Sequence, residues 1–488
     1  MAADTAQSRQ TDFSPTLRLN IERLRALFGN SSDFVVREIT IRSGQNVALF
    51  YLDGMIDQKM LQEVVIASLM DRSPPEMTSL VEIGNTVLNV GAVTSPADME
   101  EAALLIMSGS LLLLMNQEKD ALSIALPGWE ERSITESKTQ TVVRGPQDSF
   151  TETLRTNTTL VRRRIKDTRI RLTGMKVGRI TKTDVALMYL EGVADNRLIR
   201  QLEERLGNAR LDQVLEGQYL EELLLEQRQS TIFPTLYNSD RPDTIAAGIM
   251  EGKIAIFIDG TPFVLLVPSL FVDFLQSAED YYQPILYSNL IRIMRYIAVT
   301  ICILAPAIYI SLTTFHQDML PTQMLLSLAA QREGVPFPAF IEALIMEVTF
   351  EILREAGVRM PRTIGQAVSI VGTIVIGQAA VEAGVVSAVL VIVVSITAIT
   401  SFVIPAYAMS IPIRILRFAF MCLAASFGAF GVTIGILVLL VHLCSLRSFG
   451  VPYMSPIAPF DSKEQSDAIF RFPFRKSANL NPKRRSSR

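Results

Sequence analysis

The spacing of apolar residues changes character partway along the chain. Up to residue 285 apolar runs are short and interleaved with Glu, Arg, Asp and Lys, as in α/β domains that fold in water; after Tyr296 the charges thin out and the runs lengthen. Across residues 363–413 the only formal charge is Glu382, and Gly365, Gly372, Gly377 and Gly384 punctuate a run rich in alanine and β-branched residues. A helix rising about 1.5 Å per residue needs roughly 20 apolar residues to cross a hydrocarbon core near 30 Å. Residues 364–381 and 385–404 are therefore each expected to span, joined by a turn at Glu382. Residues 296–315 form another uncharged run behind Arg292 and Arg295, which are expected to anchor its near end on the cytoplasmic side. Pro306 should kink that helix, and the carbonyl it frees needs a neighbouring helix or water. Residues 418–443 form a last span with the small-residue series Gly428, Gly431 and Gly435, which lets helices approach closely. An even count of four spans returns the C-terminus to the cytoplasm, in line with the basic tail Lys483, Arg484, Arg485 and Arg488. Arg414 and Arg417 then fall on the outer side, against the positive-inside tendency.

Between the first two spans, residues 337–353 are apolar but broken by Glu342, Glu347 and Glu351. At 100° per residue Glu347, Glu351, Arg354 and Glu355 share about a third of the circumference, with Glu342 well away from them. An interfacial or re-entrant amphipathic helix is expected, since these charges in a fifth span would need a water-filled cavity. On residues 364–381, Gln366, Ser369 and Thr373 share a face, with Gln378 roughly in line. Such a stripe suits a pore wall, where an ion needs polar partners; small and hydroxyl residues equally suit packing between spans. Glu382 fits either an acidic ring that attracts cations or a solvated turn.

The water-soluble half repeats itself. Residues 47–57, VALFYLDGMID, align without gaps to residues 185–195, VALMYLEGVAD. Each reads as a strand, an acidic-glycine turn and a helix, with Asp57 and Asp195 standing where helix N-caps belong. Strands are expected at 34–41, 47–52 and 111–115, then at 168–173, 184–190, 254–258 and 263–267. Helices are expected at 58–69, 97–107, 196–206, 219–227 and 243–251. Residues 131–145 are polar and rich in Ser and Thr, as in a linker. The expected architecture is multidomain: an N-terminal soluble α/β region of two subdomains (1–130 and 161–285, separated by a linker and loop at 131–160), an all-α polytopic transmembrane domain (286–447) and a cytoplasmic tail (448–488).

A net charge of −3 argues against nucleic acid as the main partner. Cys302, Cys422 and Cys444 all lie in apolar runs, and with two histidines in the chain no metal site or cofactor is suggested. The polar residues 1–14 lack the apolar core of a signal peptide, so the soluble half is expected to stay in the cytoplasm. No phosphate loop, HExxH or GxSxG is present, and an enzyme is not expected. The basic run Arg162, Arg163 and Arg164, extended by Lys166, Arg169 and Arg171, suits local ion pairs or a solvated face better than anionic lipid.

Three blocks carry a family likeness: RGPQDSFTETLRTN at 144–157 running into LVRRRI at 160–165; REGVPFPAF at 332–340 with EALIME at 342–347 and REAG at 354–357; and PRTIGQ at 361–366 through GQAAVEAG at 377–384. In these the chain resembles the A subunit of the GerA-type spore germination receptors of endospore-forming Bacillota, with a likeness that covers most of residues 37–459. The resemblance implies a subunit of a nutrient receptor in the spore inner membrane, its soluble region on the core side. The implied partners are a transporter-like B subunit and a lipoprotein C subunit. It further implies a homo-oligomeric ring around a cation-conducting pore, for which Gln366, Ser369, Thr373, Gln378 and Glu382 become the lining candidates, with Glu342, Glu347 and Glu351 on a helix that takes part in gating. The rival readings are a non-conducting scaffold, or a secondary transporter, for which four spans without internal symmetry supply little.

Overall fold

The computed structural model describes residues 12–71, 79–86, 92–128, 137, 139–225, 231–360, 377–460 and 467–473. The chain divides into two compact units, one built from the chain up to residue 225 and from 236–268, the other from 231–235 and from 269 onward.

The first unit holds two five-stranded antiparallel sheets. In the first subdomain α1 (Leu17–Phe28) leads into β1 (Phe34–Thr40) and β2 (Asn46–Leu52). A helical run, α2, follows as α-helix Gln58–Met60, a π-helical segment Leu61–Ile66 and α-helix Ala67–Asp71. Then come α3 (Leu80–Thr86), β3 (Val93–Thr94), α4 (Met99–Ile106), β4 (Ser110–Met115) and β5 (Ala121–Ala125), in sheet order β1-β2-β4-β5-β3. The central strands read as unbroken apolar runs because both faces are covered. Val47, Leu49, Leu111 and Leu113 pack with Leu61, Val65 and Leu69 of α2, while Ala48, Phe50, Leu112 and Leu114 pack with α1 and α4. At about 25 cal/mol per Å², each such leucine contributes roughly 1.5–3 kcal/mol.

The second subdomain repeats the plan. It comprises α5 (Leu154–Arg164), β6 (Ile170–Val177), β7 (Thr183–Leu190), α6 (Asn196–Gly207), α7 (Gly217–Leu224), β8 (Tyr237–Ser239), α8 (Pro242–Met250), β9 (Ile254–Ile258) and β10 (Val264–Val267). Its order, β6-β7-β9-β10-β8, is that of the first sheet shifted by five. Asp57 accepts from the backbone N–H of Lys59 and Met60, and Asp195 from that of Arg197, as N-caps. The repeat reaches further back than the aligned strands. Asn20 Oδ1 accepts from Ser14 N and its Nδ2 donates to Ser14 O, and Asn157 makes the same pair of bonds to Thr151.

Two expectations are corrected here. Residues 154–164, placed mostly in a linker or loop, form helix α5; its buried side chains include Asn157, Thr158, Thr159 and Arg162, whose polarity hides the inward face from a hydropathy pattern. Strand β6 continues to Val177 rather than ending at 173, because Gly174 through Val177 still pair with Thr183 through Ala186.

α5 joins the subdomains through polar contacts. Arg162 donates Nε to Asp33 Oδ2 at 2.8 Å and Nη2 to Ser31 Oγ at 2.8 Å, fully buried. Arg155 pairs with Asp53, and the αL residue Gly54 (φ 88°) leaves no room for a Cβ beside Thr159 Oγ1. Of the rest of the basic run, Arg164 pairs with Asp148, Arg169 with Asp167 and Arg171 with Glu191, while Lys166 Nζ donates to Ser108 Oγ and Arg171 Nη1 to Phe28 O of the first subdomain.

The second unit begins with two 3-10 turns, Phe271–Leu275 and Ala278–Tyr281, followed by α9 (Ile285–Thr314), α10 (Thr322–Arg332), α11 (Ala339–Arg359), α12 (Gly377–Glu382), α13 (Ala388–Ser401) and α14 (Tyr407–Ser445). A short hairpin of β11 (Arg447–Ser448) and β12 (Val451–Pro452) follows. The span expected at 385–404 is only the 14 residues of α13, about 21 Å long. Ser387 sits at its N-cap, and Pro405 pushes the residue before it out of helical geometry. α14 is not one rod. Gly428 takes φ 60°, ψ −145°, and the sites of Gly431 and Gly435 abut Leu423 and Phe420, so residues 407–427 and 429–445 are two arms folded against each other. The glycine series thus makes a helical hairpin within one chain.

Arg292 and Arg295 do not reach outward as free anchors. Arg292 is 1% exposed; with Arg295 it holds Asp280 Oδ2, at 3.2 and 2.7 Å, and its Nη1 holds Asp467 Oδ1 at 2.8 Å. Arg471 donates to Asp280 O, and Ser448 Oγ accepts from Ser269 N, so the segment after the last helix is tied to the approach to α9.

Replacing Arg162 with Ala strands Asp33 in the interior and is expected to destabilise the first unit by about 3–5 kcal/mol, measured by urea unfolding; Asp33→Leu with Arg162→Met should recover most of that loss. Burial, reinforced by Glu216, pushes the Glu221 carboxyl up to about 7. A carboxyl that binds its proton more tightly when folded stabilises the fold at low pH, and this contribution is lost as pH rises from the unfolded value near 4.5 to about 7. The unit should therefore lose stability across that window, and Glu221→Gln should flatten the slope in melting curves taken from pH 4.5 to 8.

Candidate functional site

The helical unit carries a ladder of ionised side chains through apolar surroundings. Glu347, Glu351 and Arg354 recur at i, i+4 and i+7 on α11, opposite Arg414 and Arg417 at i, i+3 on the first arm of α14. Glu347 is 0% and Arg417 1% exposed, and Arg417 Nη1 donates to Glu347 Oε2 at 2.5 Å. One turn along, Arg414 Nη1 donates to Glu351 Oε2 at 3.0 Å, while Arg354 donates to Ser401 Oγ at 2.6 Å and lies over the rings of Phe350 and Phe402.

Pro306 explains why an arginine belongs at position 417. Lacking an N–H, it leaves the carbonyl four residues back, that of Cys302, without its helical donor. Arg417 Nε fills that vacancy at 2.9 Å, and its Nη2 also donates to the Cys302 sulfur. Thr397 of α13 donates to Glu347 Oε1 at 3.3 Å, so a single ion pair joins α9, α11, α13 and α14. At the other end of α11, Glu342, 0% exposed, accepts from Ser387 N at 3.1 Å and pairs with Arg332 at 3.2 Å; Tyr309 OH meets Ser387 Oγ at 3.1 Å.

These contacts fix directions. Cys302 beside Arg417 and Phe315 beside Gly428 show α9 and residues 407–427 running the same way. Tyr309 at Ser387 and Cys302 at Thr397 show α13 running the opposite way, and Glu342 at Ser387 followed by Arg354 at Ser401 show α11 running with α13. Glu342 and Glu347, on the helix expected to be interfacial or re-entrant, are turned into the bundle. The helical wheel assumed one packed side, whereas α11 is packed against three helices, so Glu342 and Glu347, 140° apart on the wheel, are both enclosed.

Of the lining candidates, Gln378 and Glu382 lie exposed on α12, where Gln378 Nε2 donates to Glu382 Oε1 at 2.8 Å. Gln366, Ser369 and Thr373 lie outside the described residues. Sequence reasoning passed over Arg332, Cys302, Arg414 and Arg417 as parts of a site. The signal for the two arginines was their spacing against the glutamates, since charges within apolar helices come in compensating sets.

Among the described residues two helical runs, α9 and α14, are long and apolar enough to cross a membrane by length and composition, α14 being counted through its reversal at Gly428. On α14 large apolar side chains such as Phe427, Phe430, Leu437 and Val441 point outward while the charges point inward. A water-soluble α/β region joined to such helices marks a membrane-associated protein. Residues 22–483 match the family model described as Bacillus/Clostridium GerA spore germination protein. The chain is 46% identical over 471 residues to spore germination protein KA of Bacillus subtilis (strain 168), covering 96% of this chain and 86% of that protein. It is 35% identical over 458 residues to spore germination protein GerLA of Bacillus cereus, covering 93% and 92%. The crystal structure of the N-terminal domain of the A subunit of the Bacillus megaterium spore germinant receptor GerK3 is 33% identical, with 53% of this chain and 97% of that chain covered and a TM-score of 0.43. The chain belongs to the GerA family of spore germination proteins.

Arg417→Ala should cost about 3–5 kcal/mol, because it leaves both the Glu347 carboxylate and the Cys302 carbonyl without their donor. Arg417→Lys should rescue little, since an ammonium lacks the planar fork that serves both groups at once. Thermal unfolding of the detergent-solubilised chain measures both.

Proposed function

We propose that this chain is the A subunit of a GerA-type germinant receptor in the spore inner membrane, its α/β region on the core side, acting with a transporter-like B subunit and a lipoprotein C subunit. In this reading the A subunits form a ring that conducts cations when a nutrient binds the receptor. The observation that carries it is the charge ladder within apolar helices of a chain that belongs to a spore germination family. Burying ionised groups this way is costly, and membrane proteins retain them where charge or ions are handled.

The ladder also narrows where a path can lie. Glu347 and Arg417 occupy the interior of one chain's bundle, so cations pass between copies, and Gln366, Ser369, Thr373, Gln378 and Glu382 remain the lining candidates. Glu342, Glu347 and Glu351 act as the gating set. Two carboxylates, Glu347 and Glu351, face three guanidiniums, Arg354, Arg414 and Arg417, leaving one unit of positive charge. Such a set responds to small shifts of α11 against α14, and a nutrient moves the equilibrium by its differential affinity for the two states. The ties between Ser269 and Ser448 and between Asp280 and Arg471 support an even number of crossings, with both ends of the helical unit on one side.

Nutrient-triggered cation release from spores is the test. Glu347→Gln should shift the nutrient concentration for half-maximal release at least tenfold, about 1.4 kcal/mol. Glu382→Gln should lower the rate or alter cation selectivity, and unchanged behaviour removes Glu382 from the path. No conductance from the reconstituted receptor, with nutrient present, favours a non-conducting scaffold.

A further inference from the structure

The two subdomains are copies, and the contact between them uses different surfaces of each. Subdomain 2 offers the outer face of α5, with Arg155 and Thr159; subdomain 1 offers the acidic-glycine turn after β2, Asp53 and Gly54. Because the plan is repeated, each surface has a counterpart that this contact does not use. At a constant offset of 137 residues, Arg18 of α1 stands where Arg155 stands on α5, counted from Leu17 against Leu154 and Asn20 against Asn157. By the strand alignment Glu191 and Gly192 stand where Asp53 and Gly54 stand. The backbone agrees: Asp53 N donates to Asp33 O, and Glu191 N to Arg169 O.

The counterparts are open. Gly54 is pressed against Thr159, whereas Gly192, also at a left-handed φ (79°), has none of the described residues within 4 Å of where a Cβ would be. Arg18 is 89% exposed and, among the described residues, held to Glu22 one turn along its own helix; Glu191 is 56% exposed and paired with Arg171, which also donates to Phe28 O. A contact that joins two different surfaces is heterologous, and its unused halves here share the backbone plan of the used ones. Here the charges keep their sense, arginine on the helix and carboxylate at the turn.

We propose that the subdomain contact continues from chain to chain, the α1 face of one copy seating on the Glu191-Gly192 turn of a second copy, with Arg18 to Glu191 as the counterpart of Arg155 to Asp53. This rests on the homo-oligomeric reading above and names the surface it uses. The match is closest at that pair. Arg169 stands where Asp33 stands, so Arg25, the counterpart of Arg162, faces a guanidinium already paired with Asp167 and does not support the contact.

Two differently tagged full-length chains, one Arg18→Cys and the other Glu191→Cys, are co-expressed with Cys422→Ser and Cys444→Ser removing the exposed native thiols. They are treated in membranes with a short bismaleimide. A band at twice 54.1 kDa that carries both tags, absent when either chain is expressed alone, is the expected result. Arg18→Glu or Glu191→Arg alone should cut the native oligomer several-fold, and the two together in every chain should restore it. An oligomeric native mass with no mixed-tag band overturns this surface while leaving the ring reading intact. A native mass of one chain overturns both. Crosslinking of the Arg18→Cys chain to itself shows a symmetric contact and overturns the head-to-tail arrangement.

Discussion

Proline 306 removes one hydrogen-bond donor from a long apolar helix, and much of the helical unit is arranged around that loss. The carbonyl it frees, on Cys302, is answered by Arg417, and an arginine among apolar helices must itself be neutralised, which requires Glu347 on α11. Glu347 in turn draws in Thr397 of α13. Each polar group is tolerated only because the next completes it.

The same logic governs the α/β region at a polar rather than an apolar junction. Arg162 is buried with Asp33 and Ser31 accepting from its Nε and Nη2, and those bonds couple helix α5 to a first sheet whose two faces already carry their own apolar clusters. A polar junction carries little area-driven attraction but fixes orientation, since ion pairs and hydrogen bonds depend on angle as well as distance. Duplication then provides each subdomain with a matching but unused half of the junction.

Much of the α/β region could be read from sequence because its signals are local. β9 falls at residues 254–258 as expected, and the aspartate N-caps at 57 and 195 follow from side chains reaching backbone two or three residues away. Some misses have a physical cause: α5 presents Asn, Thr and Arg on its buried face, and β3 and β8 have only two or three residues each, so none of these shows a clear periodicity. α1 and β5 do carry a readable period and were passed over. In the helical unit the glycines of α14 were visible as a close-packing series, but not that the helix closes on itself at Gly428, because a chain reversal within an apolar run has no hydropathy signature.

By itself the sequence determined the division into water-soluble and apolar parts, the repeated strand-turn-helix unit and the family, since each lies in composition, short-range order or long ungapped likeness. Only the tertiary structure decided where the charges go. Whether Glu347 meets water or Arg417, 70 residues further along, depends on which helices are neighbours and in which direction they run. Those are properties of the packed bundle, in which an ion can be enclosed only by a partner brought from elsewhere in the chain.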